Sequence, residues 1–223
     1  MKFKTSIARR LSGRHKACLN IKKYENMRIL DIGCSYGWFE KIKGEQAKEI
    51  LGIDLNKKDL EIAKKECKMK NVSFKQGSVL NLKNIEKDYY DVVVMFDIIE
   101  HIPKKTEEKA LKQIKRVLRK KGLLIISTPL NNFSKFFDPA WYFDHRHYSE
   151  KELRNLLEKE GFRVKKIEKR GGFWEIFSMI LFYPCKWFFD SEIPFKDFFD
   201  KKRDEEYLKK HGFSTLFVVA ENE

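Results

Sequence analysis

Apolar runs and stretches of helical periodicity alternate along the chain. The runs are RILDIG (28–33), EILGIDL (49–55), VSFKQGS (72–78), DVVVMFDII (91–99) and GLLIISTP (122–129). Runs of this length read as strands buried on both faces, and their alternation with helices predicts a parallel sheet. The spacers carry helix signals. Asn56 can cap a helix through Leu60, Ala63 and Cys67. Thr106 can cap a second, with Glu107 and Glu108 in its first turn and Leu111, Ile114 and Leu118 on its apolar face; Arg119–Lys121 and Gly122 close it. Ser149 and Glu152 form a capping box ahead of Leu153, Leu156 and Leu157, and Gly161 ends that helix. FRVKKIEK (162–169) reads as a sixth strand and STLFVVAE (214–221) as the last.

The expected fold is therefore α/β: a doubly wound, mostly parallel seven-stranded sheet with helices on both faces, an antiparallel last strand and an aromatic insertion before it. The expected organisation is a basic amino-terminal arm or cap helix (1–27), an α/β core (28–170), an aromatic-rich insertion (171–212) and the final core strand (213–223). Up to Arg28 the chain has nine Lys or Arg and one acid, Glu25.

Composition narrows the class. A chain of 223 residues with 42% hydrophobic content suits one globular domain. Its four cysteines, at 18, 34, 67 and 185, form no C-x-x-C pair, so a disulfide framework or zinc knuckle is not expected. The start lacks an apolar leader, and with the cysteine pattern this points to the cytoplasm. The formal charge of +14 favours an anionic partner: nucleic acid, a phosphorylated substrate or a lipid surface.

RILDIGCSYGWFE (28–40) parses three ways. As G-x-S-x-G it fits a nucleophilic-serine elbow at Ser35, with Asp97 or Asp138 and His145 or His147 to complete a triad, but no oxyanion loop precedes it. As G-x-G-x-x-G it fits a dinucleotide turn, yet its second and third glycines are Ser35 and Trp38. The third parse resembles the first motif of the class I, seven-strand, S-adenosylmethionine (SAM)-dependent methyltransferases, with Gly33 and Gly37 on its glycines and Ser35 replacing the middle one. Asp54 matches that family's acidic residue after the second strand. QGSVLNL (76–82) is similar to its third motif, with Ser78 where Asp is usual, and YYDVVVMFDIIEHI (89–102) resembles its fourth, including the Glu-His pair of small-molecule enzymes. VLRKKGLLIISTP (117–129) resembles the element that follows.

The resemblance implies SAM as cofactor, held by Asp31, Gly33, Cys34, Ser35, Gly37, Asp54, Leu55, Ser78, Val79 and Phe96. Turn amides and the next helix N-terminus suit the methionine carboxylate, Asp31 its ammonium group and Asp54 the ribose hydroxyls. Ser35 is expected to keep an ordinary backbone conformation. Alternatively, Asp31 and Asp54 only cap local turns.

Methyl transfer to oxygen needs a base near neutrality, and His101 and His147 are the candidates. Glu100, His145, Arg146 and Tyr148 are candidate acceptor contacts, with Arg146 suited to a carboxylate or phosphate. Asp138, Asp144, His145 and His147 have the donors for a metal, but no metal is expected. FWEIFSMILFYPCKWFF (173–189) is too short and interrupted to span a bilayer. It suits a lid over an apolar or lipid-linked acceptor, a helix in a membrane interface, or a dimer contact. The expected function is methyl transfer to an oxygen, nitrogen or carbon of a small acceptor. RNA methylation is the alternative, and a serine hydrolase or a non-catalytic SAM-binding protein the remaining ones.

Overall fold

The computed structural model describes residues 11–138, 141–142, 145–189 and 194–223; the first ten residues of the basic arm and Asp144 lie outside them. In chain order the elements are α1 (Gly13–Asn20), β1 (Arg28–Ile32), α2 (Trp38–Lys43), β2 (Glu49–Asp54), α3 (Lys57–Glu66), β3 (Val72–Gln76), β4 (Tyr90–Phe96), α4 (Glu107–Val117), β5 (Leu118–Pro129), α5 (Glu150–Lys159), β6 (Phe162–Arg170), α6 (Phe173–Phe189), α7 (Lys196–Leu208) and β7 (Thr215–Asn222). The sheet order is β3-β2-β1-β4-β5-β7-β6, with β7 antiparallel to both β5 and β6. This is the doubly wound, seven-stranded arrangement expected.

The period-two alternation of the strands builds two cores. Leu30, Ile32, Val93, Met95, Leu124 and Ile126 face α4 and α5 on one side. Ile29, Val92, Val94, Phe96 and Ile125 face the other, packing with Ala17 and Cys18 of α1, Phe39 of α2 and Tyr207 of α7. Each such side chain contributes about 1.5–3 kcal/mol on burial. From β1 the chain winds outward to β3, then returns to β4 on the other side of β1. The carboxyl ends of β1 and β4 therefore flank the point where strand order reverses, and a crevice opens there.

Helix signals were legible, with two corrections. Asn56 accepts the amides of Lys58 and Asp59, and Ser149 with Glu152 forms a reciprocal capping box. Thr106 makes no side-chain cap; its hydroxyl donates back to Pro103 O at 2.7 Å. α4 also stops at Val117, because buried Leu118 leaves the helix to pair with Tyr90 in the sheet. The basic run Arg119–Lys121 thus belongs to β5.

α1 lies against α7 rather than projecting from the domain. The Gly13 amide donates to Asp204 Oδ1 at 2.5 Å, and a Cβ on Gly13 would sit 2.4 Å from the Asp204 backbone, so the approach requires glycine. α6 and α7 form a pair between β6 and β7. Glu206 of α7 accepts the Trp174 amide, and Trp174 packs on Phe198 and Phe199. No helix among the described residues is long and apolar enough to cross a membrane.

Candidate functional site

The turn after β1 is built by backbone conformations that side chains disfavour. Gly33 has φ +81°, and an added Cβ would run into Ile98; Gly37 has φ +75°, with Phe74 and Ala63 at contact distance. Between them Ser35 has φ +48°, contrary to the expectation of an ordinary backbone. A left-handed serine costs roughly 1–2 kcal/mol. Two bonds hold it there. Its amide donates to Asp54 Oδ2 at 2.8 Å, and its hydroxyl to Asp59 Oδ2 at 3.0 Å. The triad reading needs a histidine beside Ser35; its hydroxyl has a carboxylate on α3 instead.

Asp54 joins the two loops, since its Oδ1 accepts the Asn56 amide at 2.8 Å while Oδ2 holds Ser35. The turn amides are less available than the sequence suggested. Gly33 and Cys34 N–H both donate to Ile53 O, and Gly37 N–H donates to Cys34 O. Cys34 is buried, its side chain packing among Leu60, Ala63 and Phe74, and burial pushes its thiol well above the usual range. Leu55 beside Asp54 is 70% exposed and offers an open apolar surface. Ser78 uses its hydroxyl to accept the Leu80 amide at 3.2 Å; Val79 and Phe96 are buried, Phe96 against Trp38 and Phe39.

Asp31 does not simply face the crevice. It is 3% exposed and lies beside Glu40 of α2, which is fully buried. Burial and the neighbouring carboxylate raise Asp31 well above the usual range, and burial raises Glu40 to about 7. Neither Glu40 oxygen has a hydrogen-bond partner among the described residues. Its neighbours in WFEKIK carry no signal of this burial. SAM nonetheless suits this end of the crevice. Asp54 stands between two loops with its oxygens directed at backbone amides, Leu55 is bare beside it, and Gly33 and Gly37 give the turn its left-handed backbone.

The carboxyl end of β4 carries the second group of residues. Asp97 also has a left-handed backbone, φ +58°, and its Oδ1 takes both Ser127 Oγ at 2.8 Å and the Arg14 guanidinium at 2.5 Å. Arg14 thereby ties α1 to the crevice, a link between residues 83 apart in sequence that no local pattern announces. A single 3-10 turn, Ile99–His101, follows. Glu100 is 2% exposed, accepts Thr128 Oγ1 at 3.0 Å, and is pushed up to about 8 by burial with Asp97 adding to the effect. His101 is exposed as a residue; partial desolvation of its ring and the neighbouring His145 lower its imidazole.

The loop before α5 comes back over this turn. His145 Nε2 lies 3.3 Å from His101 Nε2. His147 is held on both sides, Nδ1 at Leu130 O (3.3 Å) and Nε2 at Asp138 Oδ2 (3.1 Å). Arg146, expected to receive an acidic group of the acceptor, instead clamps the turn: it donates to Ile99 O at 3.1 Å and to Ile102 O, and pairs with Glu107. Tyr148 is buried below it, its phenol pushed up to about 12 by burial. A cavity of about 460 Å³ opens beside this loop, lined by Lys104, Trp141, Glu152 and residues 145–148. The structure thus brings Glu100, His101 and His145 together and commits Arg146, His147 and Tyr148 to the scaffold.

Comparison with known proteins agrees with this architecture. Residues 5–167 match the family described as a methyltransferase domain. The chain is 32% identical over 164 residues to the ubiquinone biosynthesis O-methyltransferase of Pelagibacter ubique, covering 66% of each chain. It is 36% identical over 111 residues to the malonyl-[acyl-carrier protein] O-methyltransferase of Halalkalibacterium halodurans, covering 48% of this chain and 40% of that one. These matches span less than two thirds of the relatives' own length. Among solved structures, the S-adenosylmethionine-dependent methyltransferase from Mesorhizobium loti superposes with a TM-score of 0.67 at 16% identity, over 94% of this chain and 98% of that one. With the glycine turn, the acidic residue ending β2 and the sheet order all in place, the chain belongs to the class I SAM-dependent methyltransferases.

Proposed function

We propose that this protein transfers a methyl group from SAM to an oxygen of a small acceptor with an apolar or lipid-linked body. The observation that carries the reading is the convergence of Glu100, His101 and His145 at the end of β4, the strand next to β1 and its glycine turn. Both relatives named above are O-methyltransferases. SAM supplies an electrophilic methyl on a sulfonium, so the protein's task is to position the acceptor and take its proton. As the O–C bond forms and the S–C bond breaks, the acceptor hydroxyl loses its proton to this cluster. His101 is the member suited to receive it, because it reaches solvent and its imidazole titrates below the ordinary histidine range. His147, the other histidine expected as a base, has both ring nitrogens engaged, and we assign it a positioning role.

An apolar acceptor is supported by the surface around the aromatic helix. Phe173, Ile180 and Phe182 of α6 are exposed, as are Phe133, Phe136 and Phe137 of the 3-10 turn packed against it. Clustered exposed aromatics of this kind suit a hydrophobic ligand or a lipid interface. RNA as acceptor rests on the +14 charge alone.

Calorimetry with S-adenosylhomocysteine (SAH) tests the cofactor half, with micromolar binding expected. Turnover is then screened with SAM on phenols, catechols and their prenylated forms. Once an acceptor is found, His101→Ala is expected to lower turnover by about 10²–10⁴-fold at unchanged SAH affinity; full turnover in that variant excludes His101. Flotation with anionic liposomes tests the lipid surface, and no binding at low salt removes it.

A further inference from the structure

We propose that a groove at the far end of the sheet from the crevice binds a small phosphorylated molecule with an apolar body. The groove has a volume of about 480 Å³, a size ordinary for ligand pockets. It lies at the amino ends of β4 and β5, where Val92 pairs with Leu123 and Leu123 with Glu221 of β7. The crevice residues Asp97 and Glu100 follow the other end of β4. The two sites are therefore separate, and this one does not rest on the methyl-transfer reading.

The lining combines an apolar floor with a cationic rim. Ile21 and Val219 are buried in the floor, while Met27 and Leu123 are half-buried. Five cations stand around them, Lys22, Arg119, Lys121, Lys165 and Lys166, against two acids, Asp91 and Glu221. Both acids are already engaged. Asp91 holds Arg119 Nε at 2.5 Å and accepts the Arg28 amide at 2.7 Å. Glu221 pairs with Arg163 at 2.5 Å and Lys165 at 3.7 Å; these two and Lys121 hold its carboxyl below the usual range. Lys22 and Lys121 have no ion-pair partner among the described residues. The rim thus keeps an excess of positive charge that its own carboxylates do not neutralise.

The backbone is shaped to present these cations. Tyr90 pairs with Leu118 and Val92 with Leu123, so residues 119–122 all stand opposite Asp91 and loop out of β5. Within that bulge Lys121 has φ +61°, a left-handed conformation that lysine disfavours and glycine takes freely. Asn222 fixes the bulge, its Nδ2 donating to the carbonyls of Lys115, Leu118 and Arg119 at 3.3, 3.1 and 3.2 Å. A second irregularity lies across the groove. Val164 pairs with Ala220 and Lys166 with Val219, which leaves Lys165 as the extra residue of β6. Bulges re-aim side chains, and strained residues gather at binding sites. Here two bulges on neighbouring parts of one sheet both point lysines at one cavity.

The occupant follows from charge and shape. Unneutralised lysines converging on one place suit a phosphate, which carries more charge than a carboxylate and accepts from several donors at once. The aliphatic floor suits an apolar or planar body beside that phosphate. The lining has no aromatic ring, so a run of nucleic-acid bases finds no platform for stacking. A soluble nucleotide and a lipid headgroup share the required chemistry.

The test uses the full chain saturated with SAH, which keeps adenine nucleotides out of the crevice. Calorimetric titration with ATP, AMP and pyrophosphate should show one saturable site of micromolar affinity for at least one of them. Lys22→Glu and Lys121→Glu should each weaken it by about tenfold or more, while Lys64→Glu on α3, remote from the groove, should not. Lys121→Gly keeps the bulge and removes the charge, and should weaken binding as well. SAH affinity should stay unchanged in every variant, which reports folding and the crevice separately. Flotation with phosphatidylglycerol vesicles distinguishes the sources: vesicle binding lost in Lys121→Glu assigns a lipid headgroup. No saturable binding of any soluble phosphate or vesicle up to millimolar phosphate overturns the site. So does an equal loss in Lys64→Glu, which would show net charge alone, or binding of an oligoribonucleotide without any of the small phosphates.

Discussion

The two ends of the crevice are held together differently. At the cofactor end the partners are near one another in sequence: Ser35 and Asp54 are 19 residues apart, and Asp54 and Asn56 two. Backbone amides and loop carboxylates do the work, and a glycine pattern sets the conformation. At the acceptor end the partners come from far apart. His101 meets His145 across 44 residues, Glu100 meets Thr128 across 28, and Asp97 meets Arg14 across 83. There the groups are side chains, and their grouping depends on one loop and one helix folding back over the sheet. A shared cofactor can be held by a local, backbone-written device, whereas an acceptor site is assembled from whichever side chains the topology delivers.

The sharpest way to break this comparison is at Asp54. Asp54→Ala removes the acceptor of two loop amides and the carboxylate that the family resemblance assigns to the ribose hydroxyls. SAH affinity should fall by about ten- to a hundredfold, from the cost of leaving such groups unpaired. Unchanged affinity by calorimetry would reduce Asp54 to a turn cap.

A smaller effect should appear in the pH dependence of stability. Burial raises the Glu40 carboxyl from its ordinary 4.5 to about 7. Its proton is therefore bound more tightly when folded. Stability is fully present below about pH 4.5 and is lost as pH rises through 7. Between pH 5 and 8 the free protein should lose at least about 1 kcal/mol, or about 2–4 °C in Tm. Glu40→Gln should flatten that slope; an undiminished slope in thermal melts would locate the proton elsewhere.

The smallest effect concerns Ser35. Ser35→Gly relieves a left-handed backbone but removes the bond to Asp59, so a net change within about 1 kcal/mol is expected, with SAH affinity kept within a few-fold. A large loss of affinity would show that the hydroxyl, and not the turn, matters at the cofactor end.

The same contrast explains what was legible. The strands, the Asn56 cap and the Ser149–Glu152 box are local devices, and they appear where the pattern places them. The end of α4 was misplaced because Leu118 fits a helix face and a strand equally well; pairing with Tyr90 decides it. Arg146 looked like an anion binder, since an arginine between histidines carries no sign that two carbonyls and Glu107 will claim it. Nothing in WFEKIK marks Glu40 as buried, and only the packing of α2 on the sheet buries it.

By itself the sequence determined the sheet, its winding and the glycine turn with its acidic partner, because hydrophobic period, backbone conformation and short-range hydrogen bonds act over a few residues. Only the tertiary structure decided that Asp31 and Glu40 are buried side by side, that Arg14 pins α1 to Asp97, and that His145 rather than His147 meets Glu100 and His101. Burial and long-range side-chain approach produce those features, and neither is a property of any stretch of sequence alone.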